Sequence, residues 1–243
     1  MKRFLLISFF SLFVVAGYAQ ERVTTFGFQL KPLIPLNLVG TGLTQSAGEN
    51  NLYSIQQRVG MSFGGVIRRG VTNWLSIESG INYTRRNYLA YVENRASGFA
   101  DSSYFGIIGY EIPVTGLVFV KLSEKWYMDA AFGVAMDMFP SDVGSNGNKP
   151  AFGQKSFRTS WSDSKDVLPW LNSGLIANIG FEYRTEKSGY FYLGGSYHRP
   201  FRRAYNSVFV YDYNGVQETG SVPLLGSYLT LDFKYFFHED REE

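Results

Sequence analysis

The chain has no cysteine. That one absence excludes a disulfide framework, a thiol nucleophile, a thiolate metal centre and a lipid anchor on an N-terminal cysteine. Histidine is nearly as scarce, with 2 in 243 residues, His198 and His238. Neither stands in a His-Glu cluster with metal-ligand spacing, so the expectation is no metal and no cofactor. After the first twenty positions no apolar run reaches the ~18 residues of a transmembrane helix. Charge of one sign is missing as well. The chain carries 23 Lys and Arg against 21 Asp and Glu, and without Lys2 and Arg3 the counts are equal at 21. Nothing in that balance points to nucleic acid.

Aromatics and glycine are plentiful instead, with 17 Tyr, 21 Phe and 26 Gly. That mixture suits strands and tight turns better than helices. The N-terminus reads "MKRFLLISFFSLFVVAGYAQ". Lys2 and Arg3 precede an apolar run from Phe4 to Val15, and Gly17 and Ala19 place small residues at a cleavage site. The expectation is a cleaved secretory signal over residues 1–19 and one domain over 20–243.

Period-2 alternation recurs through the rest. "WYMDAAFGVAMDM" puts Trp126, Met128, Phe132, Val134 and Met136 on one parity, with Asp129 and Asp137 on the other. In "YLTLDFKYFF", Leu229, Leu231, Phe233, Tyr235 and Phe237 oppose Thr230, Asp232 and Lys234. Similar segments begin near Thr25, Arg58, Leu75, Tyr110, Leu175 and Tyr190, which predicts eight strands in all. Their connections alternate in length. "RGVTN", "SEK" and "TEKSG" are short, whereas Asn37–Ser54, Glu93–Ser103, Ser141–Val167 and Asn206–Val222 are long and polar. Outer-membrane barrels have short periplasmic turns and long extracellular loops. Trp74, Trp126 and Tyr190 follow the short turns, as an interfacial aromatic girdle requires. The predicted fold is therefore all-β, an eight-stranded antiparallel transmembrane β-barrel. A lipocalin-like barrel or β-sandwich in water is the alternative. It is disfavoured because the apolar parity is large and aromatic, whereas the polar parity mixes charges with Gly, Ala and Ser, which suit a narrow lumen.

The stretch "YEIPVTGLVFVKLSEKWYMDAAFGVAM", Tyr110 to Met136, resembles small outer-membrane β-barrel proteins of Bacteroidota, the PorT-like group. "IESGINYTRR" resembles the strand that precedes it there. The resemblance implies an eight-stranded barrel in the bacterial outer membrane. One branch of the group serves type IX secretion and gliding. No catalytic motif is carried over, so the resemblance assigns no functional residue.

The lumen parity carries Glu78, Glu111, Asp129, Asp137, Glu182 and Asp232 with Arg86, Lys121, Arg184 and Lys234. Mixed signs predict a compensated charge network that fills a narrow, porin-like barrel, rather than an ion-selective pore. His198, with Ser196 on the same parity, is the sole candidate for nucleophile-and-base chemistry near the outer rim. Trp161 in the third long loop, with Arg199, Arg202 and Arg203 before the fourth, are candidate partner or lipid contacts. The function expected is a non-enzymatic interaction or assembly component. The alternatives are a narrow ion or solute channel, or an outer-leaflet lipid hydrolase using His198. Expected partners are outer-membrane lipid including lipopolysaccharide, the barrel-assembly machinery during biogenesis, and other outer-membrane or secretion components.

Overall fold

The computed structural model describes residues 23–36, 43–47, 50–72, 74–148, 152–158, 170–213 and 215–238. The expected signal segment and Trp161 lie outside them. Thirteen strands run through the described residues. Eight form the barrel wall: β1 (Thr24–Ile34), β3 (Asn51–Gly70), β4 (Leu75–Asn94), β5 (Phe99–Lys121), β6 (Trp126–Met138), β9 (Leu171–Arg184), β10 (Tyr190–Pro200) and β13 (Tyr228–Phe236). Their order is β1-β13-β10-β9-β6-β5-β4-β3, and β3 pairs back onto β1, so the sheet closes. All these pairings are antiparallel. Closure leaves no wall strand with an unpaired edge in the membrane, where an orphan backbone amide would have no water to bond.

Alternation decides which way each side chain points. On β1 and β13, Phe26, Phe28, Leu30, Leu231 and Phe233 are exposed, while Gln29, Lys31, Thr230, Asp232 and Lys234 are buried. The apolar parity therefore faces out. Phe28 is 63% exposed while Asp232 is 0% exposed, the reverse of a barrel made for water. The short turns are hydrogen-bonded. Val71 and Thr72 amides donate to the Leu75 carbonyl at 2.9 and 3.0 Å, Ser123 to Trp126 at 3.1 Å and Thr185 to Gly189 at 3.1 Å. Trp74, Trp126, Phe191 and Phe237 are exposed at this rim.

The wall strands do not end where the apolar belt ends. β3, β4 and β5 are 20, 20 and 23 residues long, about twice what a tilted strand needs to cross a bilayer. The Glu93–Ser103 connection, expected as a long loop, is instead strand on both sides of a turn at Arg95–Gly98, where Gly98 takes φ 69°. The physical reason is a second core. Ile55, Tyr88, Val92, Phe99, Phe105 and Ile107 on these extensions pack with Phe152, Tyr205, Phe209, Tyr211 and Val222. The last five belong to a separate sheet of β7 (Val143–Asn146), β8 (Phe152–Arg158), β11 (Tyr205–Tyr213) and β12 (Val216–Leu224), in the order β12-β11-β8-β7. β11 and β12 pair as an antiparallel hairpin within the Asn206–Val222 connection, with Gly215 at φ 78°. β2 (Leu43–Ala47) pairs with the start of β3. The described parts of the long loops thus fold into one extracellular module on top of the barrel.

Inside the wall, burial passes from polar to apolar along a single strand. On β4 the inward residues are Ser76, Glu78, Asn82, Thr84 and Arg86, and then Tyr88, Ala90 and Val92. On β3 the same passage needs a change of parity, from Ser62 and Gly60 to Gln57, Ile55 and Tyr53. A bulge between Arg58 and Met61 supplies it.

Candidate functional site

The barrel interior is filled by three connected tiers of polar side chains. In the tier nearest the short turns, Arg68 lies 3.0 Å from Glu78 and also bonds Glu182. Lys234 bonds the other oxygen of Glu78, and Arg184 reaches Glu182 at 2.6 Å. The Arg68 guanidinium stacks 4.0 Å over the Phe236 ring, so its unbonded faces are covered by π-density rather than water. Glu78 and Glu182 each touch two cations. That is what allows two glutamates to remain buried, since an unpaired charge at this depth is strongly destabilising.

The middle tier centres on Asp232. It accepts hydrogen bonds from Ser196, from Thr230 at 2.5 Å and from Asn178 at 2.9 Å, and Lys31 stands 3.9 Å away. Tyr192 donates to Asn178 at 2.6 Å. Its phenol lies across Gly180 and Gly194, where any Cβ would collide with the ring. Gln29 donates to Asn82 at 2.6 Å, and Asn82 donates to Glu111 at 3.2 Å, which links this tier to the next.

The upper tier joins Arg86, Glu111, Asp137, His198 and Tyr228. Arg86 donates to Asp137 at 2.9 Å, and Tyr228 donates to Glu111. The His198 ring presents Nδ1 to Glu111 at 3.0 Å and to the Tyr228 hydroxyl at 2.7 Å, and Nε2 to Asp137 at 3.3 Å. Glu111, Asp137 and His198 bring possible ligand atoms within 4.8 Å of one another. They nevertheless suit a metal ion poorly. The two carboxylates sit at different nitrogens of the ring, and an imidazole coordinates one ion through one nitrogen. The ring stands between the two acids, one at each nitrogen, rather than completing a coordination shell. Directly above it the interior becomes apolar at Phe139, Tyr88 and Tyr205.

The structure brings Glu78, Glu182, Arg184 and Lys234 together, Asp232 beside them, and Arg86, Glu111 and Asp137 in the upper tier. Asp129 is buried at 1% exposure, yet among the described residues neither of its oxygens has a hydrogen-bond partner. Lys121 requires a correction. It has the inward parity but is the last residue of β5, past the end of the interior, and its side chain is exposed. His198 also lies elsewhere than expected. It is buried among the upper-tier acids, and Ser196 bonds Asn178 and Asp232 instead, so the two do not form a pair. Arg199, Arg202 and Arg203 are exposed. Sequence reasoning overlooked Tyr228, Tyr192, Asn82 and Asn178. Tyr228 shares the parity of Thr230, Asp232 and Lys234, so the alternation already contained that signal.

The module above has its own polar contacts. Ser103 donates to Ser145 at 2.7 Å, and Asn94 donates to Tyr211 at 2.8 Å. Burial, with Tyr211 and Glu218 nearby, pushes the Tyr53 hydroxyl up to about 12. The Arg158 backbone amide and guanidinium hold the Asp142 carboxyl below the usual carboxylate range.

No family model and no curated protein matches the chain. Among solved structures it is similar to the outer membrane protein OprG from Pseudomonas aeruginosa, at 10% identity and a TM-score of 0.51 over 90% of this chain and 96% of that one. Two looser likenesses carry no argument. The outer membrane protein AlkL stands at 14% identity and a TM-score of 0.36, over 93% and 95% of the two chains. The outer membrane protease OmpT from Escherichia coli stands at 11% identity and a TM-score of 0.38, over 91% and 100%. The fold is that of an outer-membrane β-barrel.

Proposed function

We propose that this barrel is a non-enzymatic interaction component of the bacterial outer membrane, presenting its extracellular module to a partner. One observation carries the reading. The lumen is filled by bonded side chains, while the loops are built into a module with its own apolar core. A scaffold that holds its loops rigid favours recognition, because little ordering entropy is lost on binding. The PorT-like resemblance of Tyr110–Met136 makes a component of secretion or gliding assemblies the partner class to try first.

The test is chemical crosslinking of the tagged full-length protein in its native membrane, followed by mass spectrometry. The expected crosslinks join module lysines such as Lys155 to another envelope protein, and they vanish in a Thr219→Arg/Ser221→Arg variant of the exposed β12 face. A barrel that crosslinks to nothing, and that passes steady current in planar bilayers, would overturn the reading in favour of a channel.

A further inference from the structure

The bulge in β3 turns an arginine outward. Counting up from the exposed Met61, strict alternation would point Arg58 into the interior. The bulge between them instead pairs Arg58 with Asn87, on the outer face of β4. Asn87 pairs in turn with Gly106 on β5, and Arg85 below it stands between Met61 and Ile108. Arg58 and Arg85 are thus diagonal neighbours across one strand pair, near enough for two long side chains to meet one ligand. Asn87 braces the place. It accepts from the Arg85 Nε at 3.2 Å and donates to the Val59 carbonyl, within the bulge, at 2.8 Å. Gly106 leaves room for that contact, since a Cβ there would stand 3.1 Å from the Asn87 Oδ1 and 3.3 Å from the Arg85 Nε.

Neither arginine is neutralised. Among the described residues no carboxylate pairs with Arg58 or Arg85, and the Arg58 Nε is buried with no hydrogen-bond partner. The three strands offer no acid on this face. Asn50 to Ile77, Ser79 to Val92 and Ser102 to Tyr110 contain no Asp or Glu. Below the arginines the surface is aromatic and apolar. The Phe63 and Tyr83 ring centroids lie 5.1 Å apart, those of Tyr83 and Tyr110 6.0 Å, and Met61 and Ile108 flank Arg85. Height agrees. β4 starts at Leu75, beside the short-turn rim, and Arg85 is ten residues further along it. At ~3.3 Å per residue and a tilt of roughly 40°, that is a climb of ~25 Å, the full height of an apolar band about 25 Å tall.

We propose that Arg58 and Arg85 together hold the phosphate of a phosphorylated, acylated lipid of the outer leaflet. Its acyl chains lie against Phe63, Tyr83 and Tyr110. The planar guanidinium offers paired N–H donors that match phosphate oxygens. Arg58 gains most from such a ligand, because a buried donor without a partner is costly. Lipid covers the whole belt without discrimination. What distinguishes this place is two unneutralised arginines, set by a bulge and a braced asparagine, at the height of the headgroups.

The folded, full-length protein in mild detergent is titrated with bisphosphorylated lipid A and with its dephosphorylated form, and bound lipid is counted by native mass spectrometry. The expected result is at least tenfold preference for the phosphorylated form, abolished in Arg58→Gln/Arg85→Gln and reduced severalfold in either single variant. Asn87→Ala keeps both arginines but removes the brace, and it also reduces the preference severalfold. Arg199→Gln, at an exposed arginine of β10, leaves the preference unchanged. Heat-modifiable mobility on gels confirms that each variant is folded. Equal binding of the two lipids would overturn the proposal. So would an unaffected double variant, an Arg199→Gln effect as large as that of Arg85→Gln, or full displacement by inorganic phosphate, which would indicate a free-anion site.

Discussion

The lower and upper halves of β4 are one continuous strand with opposite interiors. From Ser76 to Arg86 its buried side chains are polar and its exposed ones, such as Ile77 and Ile81, are apolar. From Tyr88 to Val92 its buried side chains are apolar. The alternation of β4 itself runs unbroken through the two halves, with the bulge confined to β3 opposite it; what changes is the solvent outside. Where the surroundings are lipid, the favourable outer surface is apolar, and polar groups survive inside only by bonding one another. Where the surroundings are water, the hydrophobic effect regains its usual direction. Arg86 marks the crossing. It pairs with Asp137 on the lumen side and stacks over Phe139 and Tyr228 at the floor of the module core.

The sharpest way to break the lower half is to remove a shared cation. Arg68→Ala leaves Glu78 and Glu182 short of a partner in a closed interior and is expected to cost at least about 3–5 kcal/mol. The readout is the urea midpoint for loss of the heat-modifiable folded band. Arg68→Met, which restores volume but not charge, is expected to rescue little. In the upper half the matching change is Phe209→Ala, which empties the centre of the module core at an expected ~3–5 kcal/mol. Its effect should stay local. Protease cleavage within β11 and β12 increases, while the barrel band keeps its resistance to heat and urea. Equal loss of both would show that the two interiors form a single cooperative unit.

Asp129 offers a smaller test within the polar half. With both oxygens unbonded, its carboxylate adds desolvation cost without a compensating partner. Asp129→Asn is expected to leave stability unchanged or raise it by about 1–2 kcal/mol, whereas Asp232→Asn lowers it, because Asp232 accepts three side-chain hydrogen bonds. The smallest effect expected is at the module surface. The folded-state value of Asp142 is depressed below its unfolded value, so its stabilisation is present above the ordinary carboxylate range and is lost as pH falls through the depressed value. As an exposed pair with Arg158 it contributes ~0.2–1 kcal/mol. Acid titration of module proteolysis should therefore flatten slightly in Asp142→Asn.

Parity made the barrel half legible. A strict period of 2 in "YLTLDFKYFF" and "WYMDAAFGVAMDM" reports which side chains share a face, and eight such stretches with alternating short connections leave few other folds. The module half was harder to read for identifiable reasons. Ser, Asn and Gly in Glu93–Ser103 suggest a loop, and only the distant Phe152, Phe209 and Tyr211 supply the core that turns it into strand. The bulge at Arg58 to Met61 shifts parity without a sequence marker. Register accounts for the rest of the site. Arg68 meets Glu182 across a sequence separation of 114 residues, and Tyr228 meets Glu111 across 117. Which inward residues meet is fixed by the stagger of all eight strands together. His198 read as a rim residue because strand length above it could not be judged, and Lys121 read as lumenal because parity does not tell where a lumen ends.

The most direct measurement exploits the absence of cysteine. Single cysteines introduced along β4 in bilayer-reconstituted protein are tested with an aqueous maleimide and with lipid-borne quenchers of an attached fluorophore. The account predicts that outward positions Ile77 and Ile81 meet lipid and resist maleimide, that outward positions Leu89 and Tyr91 react with maleimide and escape the lipid quencher, and that inward Ala90 and Val92 are shielded from both. Lipid quenching at Leu89 and Tyr91, or aqueous labelling at Ile81, would contradict the inversion at Arg86.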